Sequence, residues 1–131
     1  MTILDTDILV ALLKGTPDAI QKITSLEEKG DPISTTIITA YELLKGAYLS
    51  HRYEENLVKI TDSISNMQIL DLSFNACAEA AKIYKELKNK GCMVGEFDIL
   101  IAAIARTNNE ALVTRDEHFE LLIQTPKLLK W

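Results

Sequence analysis

Short apolar segments that alternate with helical patterns constrain the fold more than any other feature of this chain. The strand candidates lie at residues 2–4, 32–36, 67–72, 111–114 and 127–131. Parallel neighbours in a sheet need long crossover connections, which helices supply. The alternation therefore predicts an α/β fold: a three-layer α/β/α sandwich with a central, mainly parallel sheet of four to five strands.

The intervening segments have the apolar spacing and the start and stop signals of helices. They cover about residues 8–13, 17–30, 39–49, 53–65, 74–90, 97–105 and 116–122. On the long helix after residue 74, the predicted buried face comprises Phe74, Cys77, Ala78, Ala81, Tyr84 and Leu87. The segment around Asp98 is apolar on all other sides, so we expect it at the centre of the fold. Tyr41, Tyr48, Tyr84 and Phe97 have core spacing, so no base-stacking platform is expected.

Length and composition indicate one folded domain that covers residues 1–131. Hydrophobic residues make up 47% of the 131 positions and charged residues 25%. Two cysteines cannot build a disulfide framework, and we expect a cytoplasmic protein without a membrane segment. The 14 basic and 19 acidic residues give a net charge of −5, which argues against nucleic-acid binding through bulk positive charge. That objection weakens if several acids converge on a cation, because a bound metal attracts phosphate.

Four acidic residues occupy positions from which they could share one site. Asp5 and Asp116 follow strand candidates, whereas Glu42 and Asp98 fall in the first turns of predicted helices. Ligands of parallel α/β sheets bind outside the carboxyl ends of the strands, so we expect the four side chains to meet at that edge. Two carboxylates 4 Å apart repel by roughly 4 kcal/mol at an effective dielectric constant near 20. A group of four therefore needs a cation, and an all-oxygen site suits Mg²⁺ or Mn²⁺ better than zinc.

Each acid also has a purely structural interpretation. Asp5 and Asp116 can cap helices, Glu42 can complete a capping box with Thr39, and Asp98 suits the positive end of a helix dipole. The functional interpretation therefore rests on the four acids acting together.

The whole chain resembles a PIN domain, and most closely the VapC-type toxin ribonucleases of prokaryotic toxin–antitoxin pairs. Four ordered segments carry the resemblance: Leu4-Asp5-Thr6-Asp7, Thr39 to Gly46, Asp98 to Ala103, and Leu112 to Asp116 with Phe119 behind it. The resemblance implies that Asp5, Glu42, Asp98 and Asp116 form the catalytic, metal-binding quartet. Thr6 and Thr114 match supporting polar residues, and Asp7 stands where the family often has Asn. Glu117, next to Asp116, is the alternative fourth acid.

On this resemblance the protein is a Mg²⁺- or Mn²⁺-dependent endoribonuclease, the toxin of a type II toxin–antitoxin pair. Its expected partners are an RNA substrate, a small antitoxin whose C-terminal segment lies over the acidic pocket, and a second copy in a homodimer. Water made nucleophilic on one or two metal ions would hydrolyse a phosphodiester. The number of ions and the RNA target stay open.

Two other function classes stay open at this point. In a haloacid-dehalogenase-like phosphatase, Asp5 of the Asp5-Thr6-Asp7 motif would be a covalent nucleophile. Asp7 is not followed by Gly-Thr-Leu, however, and the chain is short for that fold with a cap. The other alternative is a non-catalytic PIN-like module that binds RNA or protein, which an intact acidic quartet disfavours.

Overall fold

The computed structural model describes residues 1–115, 119–122 and 128–129. In chain order, their elements are β1 (Thr2–Leu4), α1 (Thr6–Leu13), α2 (Pro17–Glu28), β2 (Ile33–Thr36), α3 (Ile37–Leu49), α4 (Tyr53–Ser65), β3 (Gln68–Leu70), α5 (Phe74–Lys90), α6 (Glu96–Asn108), β4 (Ala111–Val113), α7 (Phe119–Leu122) and β5 (Leu128–Leu129). Each predicted strand and helix has a counterpart here. Residues 116–118 of the last predicted helix and residues 127, 130 and 131 of the last predicted strand lie outside the described residues.

The five strands form one sheet in the order β3-β2-β1-β4-β5, and every described pair is parallel. β2 sits beside β1 through main-chain pairing, and its Thr35 hydroxyl donates to the Leu4 carbonyl at 2.9 Å. Such bonds satisfy polar side chains in a strand that is buried from Ser34 to Thr36. The predicted parallel sheet is confirmed.

Helices cover both faces of this sheet. Side chains alternate along the strands, so Ile3 and Leu112 face a core built with α5, α6 and α7, whereas Leu4 and Val113 face a core built with α1 to α4. Helix α6 is buried at Ile99 and from Ile101 to Ala105, as expected for a central helix. The three-layer α/β/α prediction is confirmed. Within the described part of the chain, no helix has the length and apolar character needed to cross a bilayer.

The predicted buried face of α5 is wrong. The residues that pack into the core are Ala76, Ala80, Ile83 and Leu87, so only Leu87 belongs to both sets. Phe74 is 86% exposed, and Cys77 and Tyr84 also reach solvent. Two apolar stripes run along this helix. The stripe that contains Ala76 and Ala80 faces α6, because small side chains allow the two helices to pack closely. The other stripe remains on the surface.

The prediction that places the aromatic residues in the core is also wrong. Tyr41 and Tyr48 on α3 are 52% and 65% exposed, and Phe97 at the start of α6 is 37% exposed. Helical spacing alone does not tell which side of a helix faces the core, because α3 and α6 also carry buried aliphatic residues at compatible spacing, such as Leu43 and Ile101. The surface therefore carries aromatic groups that the sequence pattern did not predict.

Candidate active site at the carboxyl edge of the sheet

The strand order places a topological switch point between β1 and β4. The chain leaves β1 toward β2 on one side, and β4 pairs with the opposite side of β1. Ligand sites of parallel α/β sheets form outside the carboxyl ends of such strands, where the connections diverge. Asp5 directly follows β1, and the buried Thr114 directly follows β4. Asp5 of the first matched segment and Thr114 of the last thus lie at the same edge.

Asp5 is buried at this edge, with only 2% of its surface exposed. Its Oδ1 accepts a hydrogen bond from the Ile8 amide at 3.0 Å, so it is the N-cap of α1. Its own amide donates to the Val113 carbonyl at 3.2 Å, which ties the start of α1 to β4. The structural interpretation of Asp5 as a cap is therefore correct, and the same contacts fix the carboxylate beside the carboxyl ends of two strands.

Glu42 reaches the site from the second turn of α3, and the predicted Thr39–Glu42 capping box is wrong. The helix begins earlier, at Ile37, and Thr36 is its N-cap, since the Thr36 hydroxyl accepts a bond from the Thr39 amide at 3.1 Å. Thr39 is thus inside the first turn, and Glu42 is free of a capping role. Its Oε1 instead accepts a hydrogen bond from the Thr6 hydroxyl at 2.9 Å.

Thr6 connects the two helices that carry Asp5 and Glu42. Its hydroxyl lies 3.2 Å from that of Thr39, which in turn lies 3.4 Å from the Thr36 hydroxyl. A hydroxyl has one proton to donate, and the Glu42 carboxylate is the stronger acceptor for that of Thr6. The three threonines thus form a buried to half-buried chain of hydroxyls that orients the Glu42 side chain.

Asp98 is the third residue of α6 and is half-buried. The first turn of a helix favours negative charge, because its amides carry partial positive charge. Glu96 shares that turn but is exposed. The neighbouring Ile99 and Ile101 are buried, which anchors the helix and holds Asp98 at the border between the core and the pocket.

These residues meet in a pocket of about 80 Å³, lined by Asp5, Thr6, Asp7, Glu42, Asp98, Ile101 and Phe119. The structure thus brings together three of the four predicted acids, along with Asp7, an exposed residue that adds a fourth carboxylate to the lining. Asp116 and its alternative Glu117 lie outside the described residues. Thr114 is buried at the end of β4, and its amide donates to the Leu129 carbonyl at 2.9 Å.

The donor set fits a divalent cation by its chemistry. Carboxylate and hydroxyl oxygens are the ligands that Mg²⁺ and Mn²⁺ prefer, and 80 Å³ is room for about two to three water-sized groups. Across residues 1–115, 119–122 and 128–129, no three His, Cys, Asp or Glu side chains form a ready metal-binding cluster.

A larger apolar groove of about 500 Å³ adjoins the acidic pocket. The groove and the pocket share Thr6 and Glu42, and helices α1, α3 and α4 supply the groove's other walls: Val10, Leu13, Lys14, Leu43, Gly46, Ala47, Asn56, Lys59 and Ile60. This groove could not be predicted from the sequence, because it depends on how three helices pack rather than on one motif.

A second feature that the sequence pattern did not predict is a cluster of Tyr41, Lys45 and Phe97 on the surface of α3 and α6. The two rings make an edge contact with centroids 5.6 Å apart, and the Lys45 ammonium lies 5.3 Å from each centroid. Tyr41 directly precedes Glu42, and Phe97 directly precedes Asp98. The position of each ring directly before an acid of the site is the sequence signal that could have identified this cluster.

Comparison with known proteins gives a consistent result. The family model described as "PIN domain" matches residues 2–122. "Ribonuclease VapC2" of Haemophilus influenzae is 33% identical over 121 residues, which are 92% of this chain and 90% of the relative. "tRNA(fMet)-specific endonuclease VapC" of Shigella flexneri is 33% identical over 113 residues, which are 86% of this chain and 84% of the relative.

Solved structures agree with the sequence comparisons. The VapBC2 structure from Rickettsia felis bound to a promoter DNA fragment has a TM-score of 0.87 at 29% identity, covering 99% of this chain and 98% of that one. DNA-bound VapBC from Salmonella typhimurium has a TM-score of 0.88 at 29% identity, covering 99% and 97%. Because a family model spans residues 2–122 and the fold brings acids of three matched segments to one pocket, this chain belongs to the PIN-domain family.

Proposed function

We propose that this protein is a Mg²⁺- or Mn²⁺-dependent endoribonuclease and the toxin of a type II toxin–antitoxin pair. The observation that carries the proposal is the convergence of Asp5, Glu42 and Asp98 on one small pocket at the switch point of the sheet. Relatives named as VapC ribonucleases that match most of the chain support the same activity. We propose further that residues 1–131 act as one catalytic unit.

In this proposal Asp5, Glu42 and Asp98 bind the divalent cation, and Asp116 completes the set. A bound cation would promote ionisation of water and offset negative charge on the phosphodiester. Asp5 is held rigidly by its capping bond, whereas Glu42 is oriented by Thr6. Asp7 adds negative charge to the pocket. The amides at the start of α1 and α6 favour negative charge nearby, which aids a substrate phosphate as well as the acids.

Cleavage assays with defined RNAs test this function. The purified protein is incubated with tRNAs, including the initiator tRNA, and with ribosomal and messenger RNA fragments, in Mg²⁺, Mn²⁺ or chelator. We expect endonucleolytic cleavage of at least one RNA with either ion and none in chelator. Cleavage that persists in chelator, or no cleavage of any RNA with either ion, would contradict the proposal.

Thr6 offers a test of how Glu42 is positioned. We expect Thr6→Val to lower kcat/KM for RNA cleavage by about 10- to 100-fold, as is typical when a hydrogen-bond partner of a metal ligand is lost. Valine keeps the shape of threonine but cannot donate to Glu42. Thr6→Ser retains the hydroxyl and should stay within about threefold of wild type. Equal loss in both variants would contradict the positioning role of the hydroxyl, because the hydroxyl retained in Thr6→Ser would then not preserve activity.

We also propose a small antitoxin as a protein partner, in line with the VapBC complexes among the similar structures. We propose that its C-terminal segment binds in the groove between α1, α3 and α4. The groove is largely apolar and runs into the acidic pocket through Thr6 and Glu42, so a segment bound there would lie over the site. Apolar side chains of the segment would fill the groove and block access of RNA to the acids.

A homodimer is the proposed assembly, and the exposed stripe of α5 supports it. Cys77, Ala81 and Tyr84 line a groove of about 370 Å³ against Glu96 and Leu100 of α6, and Phe74 extends the apolar surface. Exposed apolar patches of this kind commonly mark protein interfaces. A twofold axis would bring the same stripe of a second copy onto it.

We expect Ala81→Glu to convert the dimer into a monomer, because it places a larger, charged side chain in this apolar stripe and burial of that charge in an interface is costly. The control is Asn75→Asp, which also adds one negative charge to an exposed position of α5 but about a third of a turn away around the helix. Sedimentation velocity measures the outcome. A dimer that survives Ala81→Glu would exclude this stripe as the interface.

The structure does not favour the phosphatase alternative. That reaction uses Asp5 as a covalent nucleophile, whereas Oδ1 of this carboxylate is engaged as the cap of α1. Membership of the PIN-domain family also argues against it. The non-catalytic alternative is separated from the proposed function by the Asp98 variant described in the Discussion.

A further inference from the structure

The cluster of Tyr41, Lys45 and Phe97 has the composition of a nucleotide-binding surface. Tyr41 and Phe97 remain 52% and 37% exposed although they contact each other. Their rings meet at an interplanar angle of 83°, so they present differently oriented surfaces to solvent. The Lys45 ammonium stands equally close to both ring centroids, at 5.3 Å. Such a cation–ring arrangement holds the exposed side chains in a preferred geometry.

The cluster is tied to the two helices that supply the candidate catalytic acids. Tyr41 and Lys45 are one turn apart on α3 and flank Glu42 in sequence, while Phe97 precedes Asp98 on α6. The contact between Tyr41 and Phe97 therefore joins α3 and α6 at the residues that directly precede Glu42 and Asp98 of the acidic pocket. A group bound to the cluster would lie next to a phosphodiester placed at the acids.

The charge of the chain makes such a surface useful for RNA binding. A protein with 14 basic and 19 acidic residues gains little from bulk electrostatic attraction to phosphate. Stacking of bases on aromatic side chains contributes to binding independently of net charge, and an adjacent ammonium can contact a backbone phosphate. Aromatic rings beside a lysine are therefore better suited to bind a nucleotide than an apolar protein segment. An apolar segment bound there would bury the lysine ammonium without a partner, which is unfavourable.

We propose that Tyr41, Lys45 and Phe97 bind an unpaired nucleotide of the RNA substrate next to the scissile bond. The base stacks on an exposed ring, and Lys45 contacts a flanking phosphate. This inference rests on the proposed ribonuclease function and deepens it, because it predicts a requirement for a base that is free to leave a helix. A paired base has no free face to offer to the rings, so cleavage occurs in a loop, bulge or single strand.

The test uses Tyr41→Leu, Phe97→Leu and Lys45→Met, with Tyr53→Leu as the matched control. Tyr53 is 45% exposed and stacks on Tyr48, but it lies on α4 and belongs to a different aromatic pair. The probe is a fluorescein-labelled single-stranded oligoribonucleotide in chelator, titrated by anisotropy, alongside a duplex of the same sequence. Cleavage rates in Mn²⁺ are measured in parallel on an RNA that the wild type cleaves.

Leucine in place of either ring should weaken single-strand binding by about 5- to 100-fold. Binding of the duplex should be unchanged, and Tyr53→Leu should behave as wild type. Lys45→Met should weaken single-strand binding and reduce its dependence on salt by about one phosphate contact. Cleavage of the RNA should fall in parallel with binding.

The results separate failure of the nucleotide site from failure of the ribonuclease function. If the wild type cleaves RNA and the two leucine variants bind and cleave equally well, the nucleotide site is wrong while the ribonuclease function stands. If the wild type neither binds nor cleaves RNA, the proposed function fails and the nucleotide site with it. If Tyr41→Leu or Phe97→Leu turns a wild-type dimer into monomers, the cluster is a protein interface and the inference is overturned.

Discussion

Replacement of Asp98 by Asn is expected to lower kcat/KM for RNA cleavage by about a thousandfold while leaving the fold intact. The change removes one negative charge from the pocket that Asp98 shares with Asp5 and Glu42. Interactions of a catalytic divalent ion supply several kcal/mol of transition-state stabilisation, and a loss of about 4 kcal/mol is a thousandfold in rate. Asparagine has nearly the same shape, so the half-buried position should still pack.

The matched control is Glu96→Gln, which removes a carboxylate from the same helical turn but at an exposed position. It should leave kcat/KM within about threefold of wild type. Circular dichroism and thermal unfolding of both variants check the fold. Asp98→Asn with near wild-type cleavage would remove this residue from the catalytic set, whereas a protein that binds RNA equally well with either residue and never cleaves it would be a non-catalytic module.

Truncation of Ile104 should cause the largest loss of stability among single changes in the centre of α6. Ile104 is fully buried in the core that α5, α6 and α7 form on one face of the sheet. Ile104→Ala removes buried methyl and methylene groups and leaves a cavity, for which we expect a loss of about 3 kcal/mol in the free energy of unfolding. Because α6 also carries Asp98, partial loosening of this helix should lower activity at temperatures well below the unfolding midpoint.

Ile20→Ala provides the control, since the same substitution is made at a helical isoleucine that is 44% exposed. Its cost should stay below about 1 kcal/mol. Urea unfolding followed by circular dichroism gives both values, provided that the slopes agree with wild type. Equal destabilisation by the two substitutions would contradict the assignment of α6 to the core.

Much of the fold could be predicted because strands and helices alternate with clear apolar spacing. The strands around Ile3 and Leu112 are short but bounded by polar residues or turns, and α6 is apolar on nearly every side. The buried face of α5 was harder, because Ala76 and Ala80 form one apolar stripe and Ala81 and Tyr84 contribute to another. Which stripe faces inward depends on the surface of α6 against which it packs, and no local pattern shows that.

The site was predictable to the extent that its residues follow strands or begin helices. Asp5 follows β1 and Asp98 opens α6, so the parallel topology alone brings them to one edge. Glu42 was predicted in the first turn of its helix but lies in the second, because α3 begins at Ile37 with Thr36 as its N-cap. The exposure of Tyr41 and Phe97 could not be predicted, because it depends on the angle at which α3 and α6 approach each other.

Calorimetric titration with Mn²⁺ tests most directly whether the acids of the pocket act as one cation site, because it needs no substrate. The wild type should bind Mn²⁺, Glu96→Gln should bind it with unchanged affinity, and Asp98→Asn should bind it at least about tenfold more weakly. Failure of the wild type to bind Mn²⁺, or equal affinity in wild type and Asp98→Asn, would contradict the account.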